Sequence, residues 1–154
     1  MTAYTLDANI LIGLQQKYPK DIFPSAWEAL EALVDDKRAC ICTDVHDEVN
    51  RGGDDLFTWA KELDGFVCEP TADDVQVAAQ ISAAHPGWVR EAQNAADPFL
   101  IAHASAGGLV VVTEERRAGV GVTDKNQKVP NVAEEFGVEA ISFFDLAREE
   151  GWKF

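Results

Sequence analysis

Acidic side chains lie at several places along this chain where they could act together. Asp7 follows the first β-prone segment, Glu48 lies in the helical segment after the second, and Asp97 opens an alanine-rich helical segment. Glu114 and Glu115 directly follow the most apolar segment of the chain. Carboxylates that meet within a few ångströms repel one another, and each pair at 4 Å costs about 4 kcal/mol at an effective dielectric of about 20. A cation is therefore needed to hold such a group together.

The type of ligand indicates the type of cation. These acids supply oxygen atoms only, and no spaced set of His or Cys residues accompanies them, so hard ions such as Mg²⁺ or Mn²⁺ are favoured over zinc. In nucleases these ions activate water and stabilise the leaving oxygen during in-line attack on a phosphodiester. His46, His85 and His103 have no mutual ligand spacing. We expect them to be structural or surface residues, with His103 a remote candidate for the rim of the site.

The segments that position these acids alternate between strand and helix. Short apolar runs predict strands at residues 4–6, 39–43, 66–68, 109–113 and 138–141. Amphipathic or capped segments predict helices at residues 23–34, 99–106, 131–136 and 143–150, and further helices that carry Ile10, Val45, Leu56 and Val75. Breakers and basic residues predict a surface loop over residues 114–130. We therefore predict a single domain over residues 1–154, an α/β fold with a three-layer α/β/α sandwich and a mainly parallel central sheet.

A parallel sheet would bring the acids together, because ligands of such sheets bind beyond the carboxyl ends of the strands. We expect Asp7, Glu114 and Glu115 at that edge, and Asp97 could reach it from a helix N-terminus. Each acid alone also has an ordinary structural explanation. Asp residues cap helices, and glutamates on helices and loops are usually solvated.

The composition restricts the class of protein. There are 13 Lys and Arg residues against 27 Asp and Glu, a net charge of −14. This charge argues against broad electrostatic adhesion to nucleic acid, which relies on basic residues that displace counterions, but it leaves open an acidic nuclease that meets its substrate through metal ions. Cys40, Cys42 and Cys68 form no C-x-x-C pair, so neither a disulfide framework nor a closed zinc site is expected. With no signal-peptide pattern and no apolar run of about 20 residues, we expect a soluble, cytoplasmic protein without a membrane partner.

Four short motifs occur along the chain in a characteristic order. They are Leu6-Asp7-Ala8-Asn9, then Glu48 after the second strand, then Ala96-Asp97-Pro98-Phe99-Leu100-Ile101-Ala102, and finally Val111-Val112-Thr113-Glu114-Glu115. In order and spacing they resemble the motifs of the PIN-domain (PilT N-terminus-like) nuclease superfamily. The resemblance covers nearly the whole chain. Within the superfamily, the segment Lys128-Val129-Pro130-Asn131-Val132 resembles the single-domain group described as DUF4411.

The resemblance implies a Mg²⁺- or Mn²⁺-dependent endoribonuclease that hydrolyses RNA phosphodiesters. It assigns Asp7, Glu48 and Asp97 to metal binding. Asn9 would support Asp7, and Thr113 would form hydrogen bonds around it.

The fourth acid departs from the family pattern. The position two residues after the Thr is usually Asp and is Glu115 here, with Glu114 beside it as a further supporting acid. In the implied mechanism Asp7, Asp97 and Glu115 hold metal, while Glu48 completes the cluster or orients the attacking water. The longer side chain of Glu115 leaves the number of metal ions open.

RNA is the implied substrate. The densest basic cluster is Arg116, Arg117, Lys125 and Lys128, and we predict that Arg116 and Arg117 bind substrate phosphates beside the metal. Ordinary loop solubility is the alternative explanation. Many small PIN proteins are the toxins of toxin–antitoxin pairs, and a net charge of −14 would suit an antitoxin with a basic segment. Family members also often form homodimers.

Other functions fit parts of the same pattern. A phosphotransferase of the haloacid dehalogenase kind needs a second Asp at position 9, which is Asn. A response-regulator receiver needs its Asp at the end of a middle strand, whereas Asp54 and Asp55 follow a Gly-Gly pair. The alternative that stays open is a non-catalytic PIN-like module that binds nucleic acid or protein, because Glu115 replaces the usual Asp.

Overall fold

Five parallel strands form one sheet in the part of the chain that the computed structural model describes, residues 1–90 and 94–154. The strands are β1 (Tyr4–Leu6), β2 (Ala39–Cys42), β3 (Val67–Cys68), β4 (Val110–Val112) and β5 (Ala140–Ile141). Their order across the sheet is β3-β2-β1-β4-β5. Tyr4 pairs with Ala39 of β2 on one side and with Val110 of β4 on the other, so β1 is the central strand.

Eight α-helices connect or flank these strands within the described ranges. They are α1 (Ala8–Lys17), α2 (Pro24–Asp35), α3 (Thr43–Val49), α4 (Asp54–Glu62), α5 (Ala72–Ala84), α6 (Asp97–Gly107), α7 (Val129–Glu135) and α8 (Phe143–Glu150). Short 3-10 helices lie at Asn50–Gly52 and Asp124–Asn126. None of the helices in the described ranges combines the length and apolarity needed to cross a membrane.

The strand order explains how the helices form two layers. From β1 to β3 the sheet grows in one direction, and from β3 the chain crosses back to β4 and continues to β5. Because crossovers between parallel strands are right-handed, this reversal places the connections on opposite faces of the sheet. One layer contains α6, which packs across β1, β2 and β4 with α5 beside it. The result is the three-layer α/β/α sandwich that the sequence predicts.

The core lies on both faces of the sheet. Leu6, Ile41 and Val111 have no exposed surface, as expected for strands covered by helices on each side. Two helices begin with reciprocal side-chain and backbone hydrogen bonds, between Thr71 and Asp74 for α5 and between Ser142 and Asp145 for α8. The start of α8 agrees with the helix that the sequence predicts at residues 143–150.

Some predicted boundaries differ from the observed ones. The predicted strand over residues 39–43 ends at Cys42, because Thr43 already belongs to α3. The predicted loop over residues 114–130 is shorter, since α7 begins at Val129 with Pro130 in its first turn. Proline lacks a backbone N–H, but the first turn of a helix leaves those groups without helical partners, so a proline there is compatible with the helix.

Candidate functional site

Asp7 lies between β1 and α1, at the carboxyl end of the central strand. Its backbone N–H donates to the Val112 carbonyl of β4 at 2.9 Å, and its side chain is only 5% exposed. The Thr113 hydroxyl donates to Asp7 Oδ2 at 2.8 Å, and Asn9 Nδ2 lies 3.3 Å from the same oxygen. Although Asp7 is at the N-cap position, it makes no capping hydrogen bond to α1. The side-chain partners of its carboxylate are therefore Thr113 and Asn9.

Burial raises the pKa of Asp7 to about 6. The hydrogen bond from Thr113 acts in the opposite direction, while the charges of Glu115 and Glu48 raise the pKa further. Two acids distant in sequence are thus close enough in space to act on Asp7.

Asp97 is the first residue of α6 and is 7% exposed. Its position follows the N-cap residue Ala96, so it does not serve as the helix cap. Within residues 1–90 and 94–154, its carboxylate accepts no hydrogen bond. Burial, followed by the charges of Asp7, Glu115 and Glu48, raises the pKa of Asp97 to about 9, and Lys128 opposes this rise.

Glu48 completes the ring of acids from α3. It is half-buried and forms a 3.6 Å ion pair with the exposed Arg51 one turn later. Burial raises the pKa of Glu48, with additional contributions from Glu115 and Asp44, whereas Arg51 lowers it. Arg51 was not among the predicted site residues, and only its spacing of three residues from Glu48 on a helix could have indicated it.

The backbone and the side chain of Glu115 form hydrogen bonds with different partners. Its backbone N–H donates to Thr113 Oγ1 at 3.1 Å, which ties it to the oxygen that also holds Asp7. Its side-chain Oε2 accepts a 2.9 Å hydrogen bond from the Val129 amide at the start of α7. The longer Glu side chain therefore reaches a helix N-terminus while its charge still acts on the other three acids.

The four acids face one another without forming a compact cluster. Among the described residues, no three of these carboxylates place ligand oxygens all within 4.8 Å of one another. The donor set contains oxygen only, which suits Mg²⁺ or Mn²⁺. The burial of Asp7 and Asp97, each with a raised pKa, is the environment that a bound cation would stabilise.

Comparison with known proteins identifies the family. Residues 4–154 match the family described as "Domain of unknown function (DUF4411)". This chain belongs to the DUF4411 family. That part of the sequence-based resemblance is confirmed.

The fold of this DUF4411 protein also occurs among solved structures, although a comparison with curated proteins gave no significant match. FitAcB from Neisseria gonorrhoeae is similar to it with a TM-score of 0.53 and 14% sequence identity. The match covers 90% of this chain and 96% of the other. At that identity the likeness shows the three-layer fold.

The predicted supporting residues Asn9 and Glu114 have different partners in this DUF4411 protein. Asn9 bridges the site, since its Nδ2 also lies 3.3 Å from Thr113 Oγ1 and its Oδ1 accepts from the Glu114 amide at 3.1 Å. The Glu114 side chain instead accepts a hydrogen bond from the Phe143 amide at the start of α8, at 3.2 Å. Glu114 therefore contributes its backbone to the site and its carboxylate to a helix terminus.

The four predicted basic residues of this DUF4411 protein differ in their surroundings. Arg117 pairs with Glu134 on α7, and Lys125 lies exposed in a 3-10 helix. Arg116 is exposed directly after Glu115. Lys128 is also exposed, and it is the basic residue whose charge acts on Asp97.

The three histidines lie away from the acids' hydrogen-bond network. His103 contacts Thr5 on β1 and Cys40 on β2, in the middle of α6 rather than at the rim. His46 stacks on Phe57 within the core. His85 bonds to carboxylates of the loop after β4 and of α7.

Proposed function

We propose that this protein is a Mg²⁺- or Mn²⁺-dependent endoribonuclease of the PIN type that hydrolyses RNA phosphodiesters. The observation that carries the proposal is the environment of Asp97. This acid is buried among three other acids, its pKa is raised to about 9, and the described part of the chain donates no hydrogen bond to its carboxylate. Natural proteins pair buried charges or use them to coordinate metals. A divalent cation would provide such a partner for Asp97.

Asp7, Asp97 and Glu115 would hold the metal, which when bound lowers the pKa of water and polarises a phosphate oxygen. Thr113 fixes the relative positions of Asp7 and Glu115, because its hydroxyl donates to the Asp7 carboxylate and accepts from the Glu115 amide. Asn9 secures the same hydroxyl and Asp7 from the opposite side. These two residues are positioning residues rather than catalytic ones.

Glu48 would orient the attacking water. Its carboxylate is half-buried, its pKa is raised by burial, and Arg51 holds it from the solvent side. In this position Glu48 would accept a hydrogen bond from the water as its oxygen attacks phosphorus. The water would pass a proton to Glu48 as its oxygen bonds to phosphorus. The phosphorus–oxygen bond to the leaving ribose oxygen would then break, and that oxygen would take up a proton from solvent, which gives two RNA fragments.

Arg116 and Lys128 would bind the phosphates of the substrate. Both are exposed, one directly after the acid Glu115 and the other close enough to Asp97 to lower its pKa. The prediction for Arg117 is weakened by its ion pair with Glu134. We therefore propose Lys128, with Arg116, as the principal phosphate contact.

The experiment that tests the function is cleavage of an end-labelled structured RNA in Mn²⁺, Mg²⁺ or chelator. The variants are Asp7→Asn and Asp97→Asn. The matched control is Asp73→Asn, because Asp73 also lies in the first turn of a helix but is exposed. We expect cutting by the wild type and by Asp73→Asn only when metal is present, and none by the two site variants.

Cleavage that survives in chelator, or in both site variants, would contradict the proposal. Absence of cleavage of RNA and of single-stranded DNA by folded wild type in any metal would favour the alternative function.

That alternative is a non-catalytic module that binds nucleic acid or protein. The hydrogen bond from the Val129 amide to Glu115 favours it, since this carboxylate already serves α7. Stabilisation by Mn²⁺ separates the two proposals: a ligand that binds the folded state raises its stability, and a degenerate module would show neither this shift nor cleavage.

We also propose that the protein is the toxin of a toxin–antitoxin pair. The net charge of −14 and the uncompensated acids would attract a partner with a basic segment. A synthetic basic peptide that fills the site would compete with Mn²⁺. A homodimer is a second proposed assembly, and light scattering of the purified protein measures it directly.

A further inference from the structure

Two thiols and one imidazole meet on the sheet face that α6 covers. Cys40 lies on β2, Cys68 on β3 and His103 in α6, and one ligand atom from each lies within 4.8 Å of the others. We propose that these three side chains form a second metal site, separate from the acids, which binds Zn²⁺ or another thiophilic divalent ion. This proposal does not depend on the nuclease activity.

The distances suit tetrahedral coordination. A zinc ion bonds sulfur at about 2.3 Å and imidazole nitrogen at about 2.0–2.1 Å, so its tetrahedral ligand atoms lie about 3.6–3.8 Å from one another. Cys40 Sγ is 3.8 Å from His103 Nε2. The three side chains therefore need only small rotations to share one ion.

Thr5 prepares His103 as a ligand. Its hydroxyl Oγ1 lies 3.3 Å from His103 Nδ1, the ring nitrogen that points away from Cys40. When Nδ1 carries the proton and donates to this hydroxyl, Nε2 presents its lone pair to the thiols. Metal-binding histidines generally have such an oxygen partner on the second nitrogen.

The strand register argues against a disulfide as the purpose of the two thiols. Cys68 pairs with Cys42, and Cys40 lies two residues before Cys42 on the same strand. Standard strand spacings then separate the Cα atoms of Cys40 and Cys68 by about 8 Å, beyond the roughly 4.4–6.8 Å of disulfides. All three cysteines are free. A bridging ion spans this diagonal, whereas a direct sulfur–sulfur bond does not.

The site would keep one coordination position open. Each of the three ligand residues is partly exposed, so solvent can reach the ion. The buried Asp74 is not counted as a fourth ligand, because its carboxylate already accepts a hydrogen bond from the Thr71 amide in the capping box of α5. Three protein ligands with water in the fourth position is a known form of zinc coordination. Thiolate and imidazole ligands also favour zinc over Mg²⁺, which separates this site from the acids.

A metal here would connect three elements. It would join the edge strand β3 and its neighbour β2 to α6, the helix that begins with Asp97. Edge strand β3 has only two residues in the sheet and benefits most from such a link. Bound metal would thereby stabilise the helix that presents the acid.

The test is titration of the reduced wild-type protein with Co²⁺, which reports thiolate ligands through a charge-transfer absorption band. We expect one Co²⁺ per chain with this band, and its loss when Zn²⁺ is added. Free Zn²⁺ at 100 times its Kd should increase the folding equilibrium constant about 100-fold. A reduced wild type that gives no thiolate band would overturn the proposal without any variant.

Variants locate the ligands. Cys40→Ser and Cys68→Ser should each weaken Co²⁺ binding by more than about 100-fold, because even loss of a residue that only orients a ligand costs about 10–100-fold. Cys42→Ser is the matched control, since Cys42 lies on the same strand but outside the cluster. Asp7→Asn should also leave the band unchanged, which distinguishes this site from the acids. A band that persists in both Cys40→Ser and Cys68→Ser would contradict the assignment.

Discussion

Two groups of carboxylates in this protein have opposite partners. Asp124 and Glu135 flank the buried His85, whose two ring nitrogens lie 3.0 and 2.7 Å from their oxygens. Asp7 and Asp97 are themselves buried, but no basic side chain of the described ranges forms an ion pair with either. The chain thus supplies its own cation where carboxylates hold a loop against a helix. At the sheet edge, in the proposed function, a bound metal ion would supply the cation.

The pKa shifts of His85 and Asp97 show the same difference between the two groups of carboxylates. Burial opposes the charge of His85, but hydrogen bonds to Glu135 and Asp124 outweigh it and raise the pKa of the imidazole. The environment therefore favours the charged form of His85. At Asp97, burial and neighbouring acids raise the pKa to about 9 and favour the neutral form. A metal bound beside Asp97 would lower the pKa of that acid and favour its charged form. A metal there would not alter the surroundings of His85 in this way.

The substitution Asp97→Asn should have the largest effect, with opposite signs on activity and stability. We expect RNA cleavage to fall by more than about 100-fold, since loss of a residue that only orients a ligand already costs about 10–100-fold. The folded pKa of Asp97, about 9, exceeds its usual 3.8, so the stability of the metal-free protein falls as pH rises through that window. Asn should remove this fall. Urea unfolding in chelator at about pH 5 and about pH 8 measures it.

Equal loss of stability in wild type and Asp97→Asn between these two pH values would contradict the prediction. It would mean that the folded protein already stabilises the charged form of Asp97. Saturating Mn²⁺ should flatten the pH dependence of the wild type and leave that of the variant unchanged.

Thr113→Val should weaken metal binding by about 10–100-fold. The substitution keeps the shape of the side chain but removes the hydroxyl that donates to Asp7 and accepts from Glu115. Because that hydrogen bond lowers the pKa of Asp7, the acid limb of the cleavage pH profile should also move to higher pH. Thr113→Ser should restore both. Mn²⁺ titration of cleavage across pH tests this, and an unshifted profile would show that the hydroxyl is only structural.

His85→Gln should reduce stability and spare the chemistry. Hydrogen bonds to charged groups contribute about 1.5–3 kcal/mol each, and Gln retains only part of this pair. Because the folded pKa of His85 is raised, its contribution is complete below the unfolded pKa of about 6.5 and is lost as pH rises through the folded pKa. The variant should therefore be most destabilised near pH 6 and less destabilised at about pH 9, where less of the wild-type imidazole is charged. Thermal unfolding at the two pH values provides the measurement, and an equal deficit at both would refute a charged His85.

The smallest effects concern the basic residues. Lys128→Ala should weaken RNA binding several-fold and reduce the salt slope by about 1, as loss of one phosphate contact does. Arg117→Ala should change neither, because its partner is Glu134 and both side chains are mostly exposed. Filter binding of RNA at several salt concentrations compares the two. Equal losses in both variants would restore Arg117 as a phosphate contact.

The sequence predicts the fold well where the signals are local. The Thr71 and Ser142 capping boxes, the apolar run that becomes β4 and the Gly-Gly break before α4 each specify one boundary without help from distant residues. Pro130 was interpreted as a loop residue, although a proline is equally compatible with the first turn of a helix. In the structure α7 begins at Val129, whose amide donates to Glu115.

The sequence predicts some features of the two candidate metal sites and not others, because some of them depend on contacts between distant segments. Asp7 and Glu115 come at strand ends, so the topology of a parallel sheet places them at one edge. The division of labour between Glu114 and Glu115, one serving α8 and the other α7, depends on helices that follow later in the chain. The group of Cys40, Cys68 and His103 has no sequence spacing at all, since its members come from three separate elements.

The central position of β1 also determines when the acid site can form during synthesis of the chain. Asp7 emerges from the ribosome first, but its partner Thr113 lies 106 residues later. The strand that pairs beside Asp7, β4, follows all of β2 and β3. A growing chain therefore carries Asp7 without its hydrogen-bond donor until β4 and Thr113 have been made. A nuclease of the kind that we propose would in this way stay incomplete until β4 has been made.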